Sequence, residues 1–383
     1  MLLVLDDSLN NKTEEFFENA APAIENIATA AREGKHILSG NRELLQRLSK
    51  LSCISRISSA SIKKCQEQMP EYANLKNIAS DYVQVMPDGN DRINIIGGQR
   101  IINIPLQKFT DTSMIQESVL IGENLIDCEF YKIVAEVYSS KNNLGRLKIR
   151  HEGRLGGGST IVDVYKQTQD EDKRPCLCVA DSDKKCPSSD IGEIVRKLDR
   201  IDDETKPISR YVHILCREAE NMLSCKQLEL ACSKTESRLK ALQSLNDIEK
   251  CNDEARLYID IKKGLELIEV FKLSPDNSCR IYWIDFFSGF CRSCGYSKNP
   301  CLRNSGCYVK EDNCYLKEAE GSCECTIMLG FGDSIFENVV EQLKLNTAQK
   351  VAEMLSPFVY AEWMRVGHIV FSWCVGRSHR SAL

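Results

Sequence analysis

A chain of 383 residues with 43% hydrophobic and 27% charged side chains is long enough for a sizeable core, in two to three domains of about 150 residues each, and excludes simple disorder and fibrous architectures. Its 50 Lys and Arg against 55 Asp and Glu leave a formal charge of -5, so no global positive field draws it onto nucleic acid or acidic lipid, and any such contact has to be local. Met1 to Leu5 is far short of a signal-peptide core, and no uncharged apolar run approaches the roughly 18 residues of a membrane span, so a cytoplasmic protein with no membrane partner is expected.

In chain order, Leu2 to Leu5 reads as a strand and Thr13 to Arg32 as an amphipathic helix kinked at Pro22. Asn41 caps a further helix through Leu51, with helical turns on to Ser80, and Ile93 to Ile96 and Arg100 to Ile104 form a hairpin joined at Gly97-Gly98. Leu125 to Ser139 is a helix, followed by a polar, breaker-rich boundary at residues 141–145. From there strands and helices alternate: a strand from Arg146 to His151, a glycine-rich loop over Glu152 to Gly158 and a helix from Ser159 to Gln167. A strand from Cys176 to Ala180, a helix from Ile191 to Leu198 and a strand from Tyr211 to Leu215 follow. That alternation predicts a parallel sheet with crossover helices. Lys226 to Leu273 reads as mostly helical, and Asn338 to Val366 as one long helix interrupted at Pro357.

Ligands of an open parallel sheet bind outside the carboxyl ends of its strands. On this reading Glu152 follows the first of the three strands, Asp181 and Asp183 the second, and Glu218 and Glu220 the third, so three strand ends deliver carboxylates to one rim, as a hard divalent cation requires. Arg154, Lys184 and Arg217 stand within a few residues of them and can neutralise a phosphodiester. A helix beginning near Glu218 would set Glu218 and Glu220 about 200° apart at 100° per residue, so only one of them, Glu220, is expected to face the rim. Gly156-Gly157-Gly158 before Ser159 and Thr160 offers either backbone N–H groups for an anion or a tight strand-to-helix turn.

The order strand, Glu152-Gly153, helix, strand, Asp181-Ser182-Asp183, helix, strand resembles the TOPRIM domain of topoisomerases, primases and OLD-type nucleases, and Arg217-Glu218-Ala219-Glu220-Asn221 is similar to the Arg-Glu-x-Glu-Asn segment of TOPRIM-like nucleases of bacterial anti-phage systems. The likeness covers Arg146 to Cys225. It implies a magnesium- or manganese-dependent endonuclease acting as a toxic defence effector. Asp181 and Asp183 would hold the metal, with Glu152 as a further ligand or proton-managing group. Glu220 would complete the catalytic set, and Arg154, Lys184 and Arg217 would steady the phosphate of a DNA or RNA substrate. Relatives of this kind work alone or with an ATPase or reverse-transcriptase partner, and the alternative is a catalytically silent TOPRIM-like scaffold that binds such a partner or nucleic acid. The sequence departs from the pattern in lacking an acidic residue in the loop after Glu152, and it contains no Gly-x4-Gly-Lys-Ser/Thr phosphate loop.

The expected fold class is therefore α/β: an accessory α/β region over 1–144, a parallel-sheet TOPRIM-like core over 145–225, a helical segment over 226–278, a Cys-rich module over 279–335 and a helical region over 336–383. Of 19 cysteines, all expected to be reduced, eight fall between Cys279 and Cys325. Cys291, Cys294, Cys323 and Cys325 are candidate ligands of a structural zinc, against buried free thiols or a redox role. Asp6 and Asp7 resemble the opening of PIN-type nucleases but lack the later acidic residues of that set.

Overall fold

In the computed structural model, which describes residues 1–232, 235–266, 269–270, 272–293 and 326–378, the opening apolar run Leu2–Leu5 forms β1 with all four side chains buried. The chain divides into two units: Met1–Ala180, Lys197–Val212 and Trp363–Leu383 form one, and Asp181–Arg196 and His213–Glu362 the other.

In the first unit, α1 (Glu14–Asn19) starts at the Thr13 cap and α2 (Ala21–Glu33) buries Ile24, Ile27 and four alanines. The single kinked helix expected over 13–32 is thus two helices. Pro22 falls in the first turn of α2, where its missing N–H breaks no helical bond. β2 (Ile37–Ser39) is followed by α3 (Arg42–Leu48), whose Asn41 cap accepts from the Glu43 N–H at 2.8 Å, and then by α4 (Arg56–Glu67), α5 (Met69–Tyr72) and α6 (Leu75–Ile78). β3 (Asp81–Met86), β4 (Arg92–Ile96) and β5 (Gln99–Pro105) complete a sheet of order β2-β1-β3-β5-β4. It is parallel except for β4, which forms the expected hairpin with β5 through Gly97 and Gly98, both at positive φ.

The second sheet of this unit is built from β6 (Ser118–Gly122), α7 (Leu125–Lys141), β7 (Lys148–Ile149), β8 (His151–Leu155), α8 (Ile161–Glu171), β9 (Cys176–Ala180), α9 (Glu193–Ile201) and β10 (Ser209–His213). Its order is β10-β9-β6-β8, with β6 parallel to both β8 and β9. The wholly buried β6 comes from ahead of the boundary expected at 144–145. The strand expected over 146–151 is two short ones, so Glu152 does not follow a strand but lies inside β8, paired in register with Val119. Because the chain passes from β6 to β8 and then crosses back to β9, the adjacent carboxyl ends of β6 and β9 mark the switch point of the sheet. The last helix, Pro357–Cys374, brings Trp363 edge-on to Phe130 at 5.4 Å, and the strand Val375–Gly376 pairs antiparallel with β7.

A buried ion pair holds the unit. Asp81 is fully buried and takes Arg210 Nη1 on both oxygens, at 2.8 and 2.7 Å, with Ser80 Oγ donating at 2.6 Å. Asp81→Ala strands a guanidinium with partial access to water, for an expected loss of about 2–3 kcal/mol in urea unfolding at neutral pH. A loss below about 0.5 kcal/mol would show that the pair contributes only packing.

In the second unit, α10 (Cys225–Glu229) and α11 (Glu236–Cys251) precede a 3-10 turn over Ala255–Tyr258, β11 (Gly264–Glu266) and α12 (Ser278–Ser293). β12 (Thr326–Leu329) pairs antiparallel with β11, and α13 (Ile335–Lys344) and α14 (Ala348–Glu353) follow. The stretch expected to be mostly helical thus contains a strand. The single long helix expected over 338–366 is three helices, the last beginning at Pro357, where proline fits the first turn. Among the described cysteines eleven are free thiols, while Cys251 is disulfide-bonded, which corrects the expectation of reduced thiols throughout. No helix among the described residues is long and apolar enough to cross a membrane.

Candidate functional site

Of the sequence-derived candidates, Asp181, Asp183, Lys184, Arg217 and Glu220 belong to the second unit, and Glu152 and Arg154 to the first. In the second unit the turn Asp181-Ser182-Asp183 is stitched to the segment Cys216 to Ala219. Buried Ser182 donates to the Cys216 carbonyl at 2.6 Å, the Asp183 N–H to the Arg217 carbonyl at 2.9 Å, and the Ala219 N–H to Asp181 Oδ1 at 3.1 Å. Asp183 takes a left-handed backbone (φ 54°), and Gly192 packs so closely that a Cβ there would lie 2.6 Å from the Asp183 side chain. Burial pushes the Asp183 carboxyl up, against the pull of Arg217, Lys185 and Lys262.

The expected helix start at Glu218 is instead a 3-10 turn over Ala219–Met222, with Glu218 as its cap residue and the Asn221 side chain accepting from the Glu218 N–H at 3.0 Å. Asn221 is fully buried and donates to the carbonyls of Arg256 (2.9 Å) and Ile259 (2.8 Å). The expectation that only one of Glu218 and Glu220 can face the site is overturned, because both approach one ammonium, Lys262 Nζ, at 3.7 and 2.9 Å. Burial works against the charge on Lys262, but Glu220, Glu218 and Asp181 outweigh it and hold the ammonium above its usual range. Glu218 is raised by burial and by the charge of Glu220, and its Oε2 is buried without a hydrogen-bond donor. Arg217 pairs with Asp260 at 3.0 Å, while Lys184 Nζ is tied to the Pro187 carbonyl at 3.1 Å. Two cavities of about 530 and 520 Å³ share Lys185, Arg217 and Cys279 in their walls, the first adding Asp183 and Arg196, the second Lys263.

The raised carboxyls have a measurable consequence. A carboxyl whose folded pKa lies above its unfolded value keeps its proton longer in the folded state, so stability falls as pH rises from about 4 through the raised value. Glu218→Gln is therefore expected to raise the melting temperature at pH 7.5 and to give no gain at pH 4. An equal shift at both would mean that ionisation of Glu218 costs the fold nothing.

In the first unit Glu152 is half exposed and paired with Arg174 at 2.7 Å and Arg154 at 3.4 Å, and Arg174 holds its carboxyl below the usual range. Arg154 also donates to Thr168 Oγ1 at 3.1 Å. The residue that directly follows a central strand is Glu123, after β6, which the sequence reading missed. The Gly156 and Gly157 N–H groups donate to the carbonyls of Gly122 and Glu123, both at 2.8 Å. A Cβ on Gly156 would sit 2.6 Å from Ile161, so the glycines serve this tight turn, and two of the N–H groups offered for an anion are already used. Asp6 accepts from Ser8 and Gln84, and those bonds outweigh burial to hold its carboxyl low.

Of the candidate zinc ligands, Cys294, Cys323, Cys325 and the side chain of Cys291 lie outside the described residues. Among the described residues no group of three or more His, Cys, Asp or Glu side chains is disposed to hold a metal ion. Comparison of the chain with family models, curated proteins and solved structures gave no match.

Proposed function

We propose that the chain is a TOPRIM-like, magnesium- or manganese-dependent endonuclease that hydrolyses phosphodiester bonds of DNA or RNA, acting as the toxic effector of a bacterial anti-phage system. The observation that supports this best is a carboxylate cluster short of positive charge. Asp181, Asp183, Glu218 and Glu220 are countered by Lys262, Arg217 and Lys185; Asp183 and Glu218 are raised by burial despite those cations, and Glu218 Oε2 lacks a hydrogen-bond donor. Oxygen ligands of this kind suit a hard divalent ion. Asp181, Asp183 and Glu220 are the residues that would hold it, although no three such side chains are already disposed to do so among the described residues, and the ion would polarise the scissile phosphate. All four candidate cations have local partners, Arg217 with Asp260, Lys262 with Glu220, Lys184 with the Pro187 carbonyl and Arg154 with Thr168; Arg217 and Lys262, which lie within the acidic cluster, are the two that would offset phosphate charge there.

The 2.9 Å pair of Lys262 with Glu220 favours a second reading, a silent scaffold whose acidic cluster is already countered and which docks on an ATPase or reverse-transcriptase partner. Incubation of the purified chain with plasmid, single-stranded DNA and total RNA, with and without manganese, separates the two. Manganese-dependent fragments support the enzyme; binding without cleavage supports the scaffold.

A further inference from the structure

The first unit carries a cavity of about 670 Å³ whose lining includes none of the candidate site residues. Five cations line it, Arg32, Lys64, Arg146, Lys148 and Arg377, against one carboxylate, Glu71. Five less one leaves +4 in one cavity of a chain whose formal charge is -5. Such a concentration of like charge is unfavourable unless something anionic offsets it.

The cations come from separate parts of the chain: Arg32 from the end of α2, Lys64 from α4, Arg146 and Lys148 from the approach to and start of β7, and Arg377 from beyond the strand Val375–Gly376. The β7 pairing sets Lys148 opposite Gly376, which brings Arg377 to the cavity wall. Arg377 is fixed there. Its N–H donates to the Gly34 carbonyl at 2.8 Å, Nη2 donates to the Ala31 carbonyl at 2.7 Å, Nη1 donates to Gln68, and its guanidinium lies 5.8 Å from the centre of the Tyr72 ring. Gly34 is needed for this approach, since a Cβ there would lie 2.7 Å from the Arg377 carbonyl oxygen. Lys64, Arg146 and Lys148 are exposed and form no ion pair among the described residues, and Arg32 has only a long contact of 3.9 Å with Glu33.

We infer that this cavity binds a compact polyphosphate, either inorganic or the phosphate chain of a nucleotide. Its volume falls in the range of about 300–1,000 Å³ that holds small ligands. The charges converge on one cavity instead of tracking along a line, as a groove for a nucleic-acid strand would. Lysines and arginines on several sides can contact successive phosphates, with Ser378 adding a hydroxyl donor and the Tyr72 ring a surface for a base.

Calorimetric titration of the full chain at low ionic strength without divalent cations, so that phosphate chelation plays no part, tests this with tripolyphosphate, ATP, orthophosphate and a single-stranded RNA oligonucleotide. Tripolyphosphate or ATP should bind at least about tenfold more tightly than orthophosphate, weakening as salt is raised. Tighter binding of ATP than of tripolyphosphate identifies a nucleotide as ligand, and the reverse an inorganic chain. The double variant Arg146→Glu/Lys148→Glu and, on another element, Lys64→Glu should each weaken binding at least about tenfold with an unchanged melting temperature, while Asp181→Asn leaves it intact. Binding of RNA alone, tripolyphosphate no tighter than orthophosphate, or charge-reversal variants that bind as wild type would each overturn the inference.

Discussion

If the chain is the endonuclease proposed above, Asp181→Asn is expected to lower nucleic-acid cleavage by about a thousandfold, some 4 kcal/mol of barrier, while leaving the melting temperature nearly unchanged. The substitution keeps an oxygen to accept the Ala219 N–H, now 3.1 Å from Asp181 Oδ1, so the stitch between the two loops survives. It removes one of three negative charges that act on Lys262, and with it part of the attraction for a divalent ion. Binding to the folded state alone stabilises it by mass action, so millimolar manganese should raise the wild-type melting temperature and not that of the variant. A variant that keeps more than about a tenth of the activity, or gains as much from manganese as the wild type, would remove Asp181 from the metal site.

What could be read from the sequence follows from how local each determinant is. β9 was legible because Cys-Leu-Cys-Val-Ala is an unbroken apolar run buried on both faces, and the β4–β5 hairpin because Gly97-Gly98 supplies the positive φ of its turn. β8 was misplaced because it is an edge strand. His151-Glu152-Gly153-Arg154-Leu155 has no fully buried residue and hence no apolar period, which shifted the strand end and promoted Glu152 in place of Glu123. β6 is apolar and buried, yet a reading that placed the sheet after residue 145 had no role for it. An α-helix, at 100° per residue, would separate Glu218 from Glu220. The observed turn is 3-10 with Glu218 outside it as the cap, so the angle does not apply. Lys262 carries no local signal at all. It reaches the cluster because the segment before it is bonded to residues some 35 to 45 positions away in sequence, Arg217 to Asp260 and Asn221 to the Arg256 and Ile259 carbonyls.

That last contact depends on one buried guanidinium, and replacing Arg256 should have the largest effect on stability of any single change in the second unit. Arg256 is fully buried. Nη1 donates to the Asn221 carbonyl at 3.1 Å, Nη2 to that of Leu223, Nε lies 2.5 Å from Glu249 Oε1, and the Phe358 ring centre is 5.0 Å from the guanidinium carbon. Methionine fills much of the same volume but leaves two carbonyls without donors and the Glu249 carboxylate without its counter-charge. Breaking one side of such a pair costs about 3–5 kcal/mol. At about 2–4 °C per kcal/mol, the unfolding midpoint should drop by roughly 6–20 °C. Lysine should not rescue it, because one ammonium cannot serve carbonyl and carboxylate partners arranged around a planar fork. Adding Glu249→Leu to Arg256→Met should return part of the loss, since the stranded charge is then gone and only the carbonyls remain unsatisfied. On the proposed endonuclease reading cleavage should fall in both variants, because the turn that carries Glu220 has lost its anchor. A stability loss below about 1 kcal/mol for Arg256→Met would show that the Asn221 contacts alone hold that turn, and that Lys262 reaches the acidic cluster without help from the guanidinium.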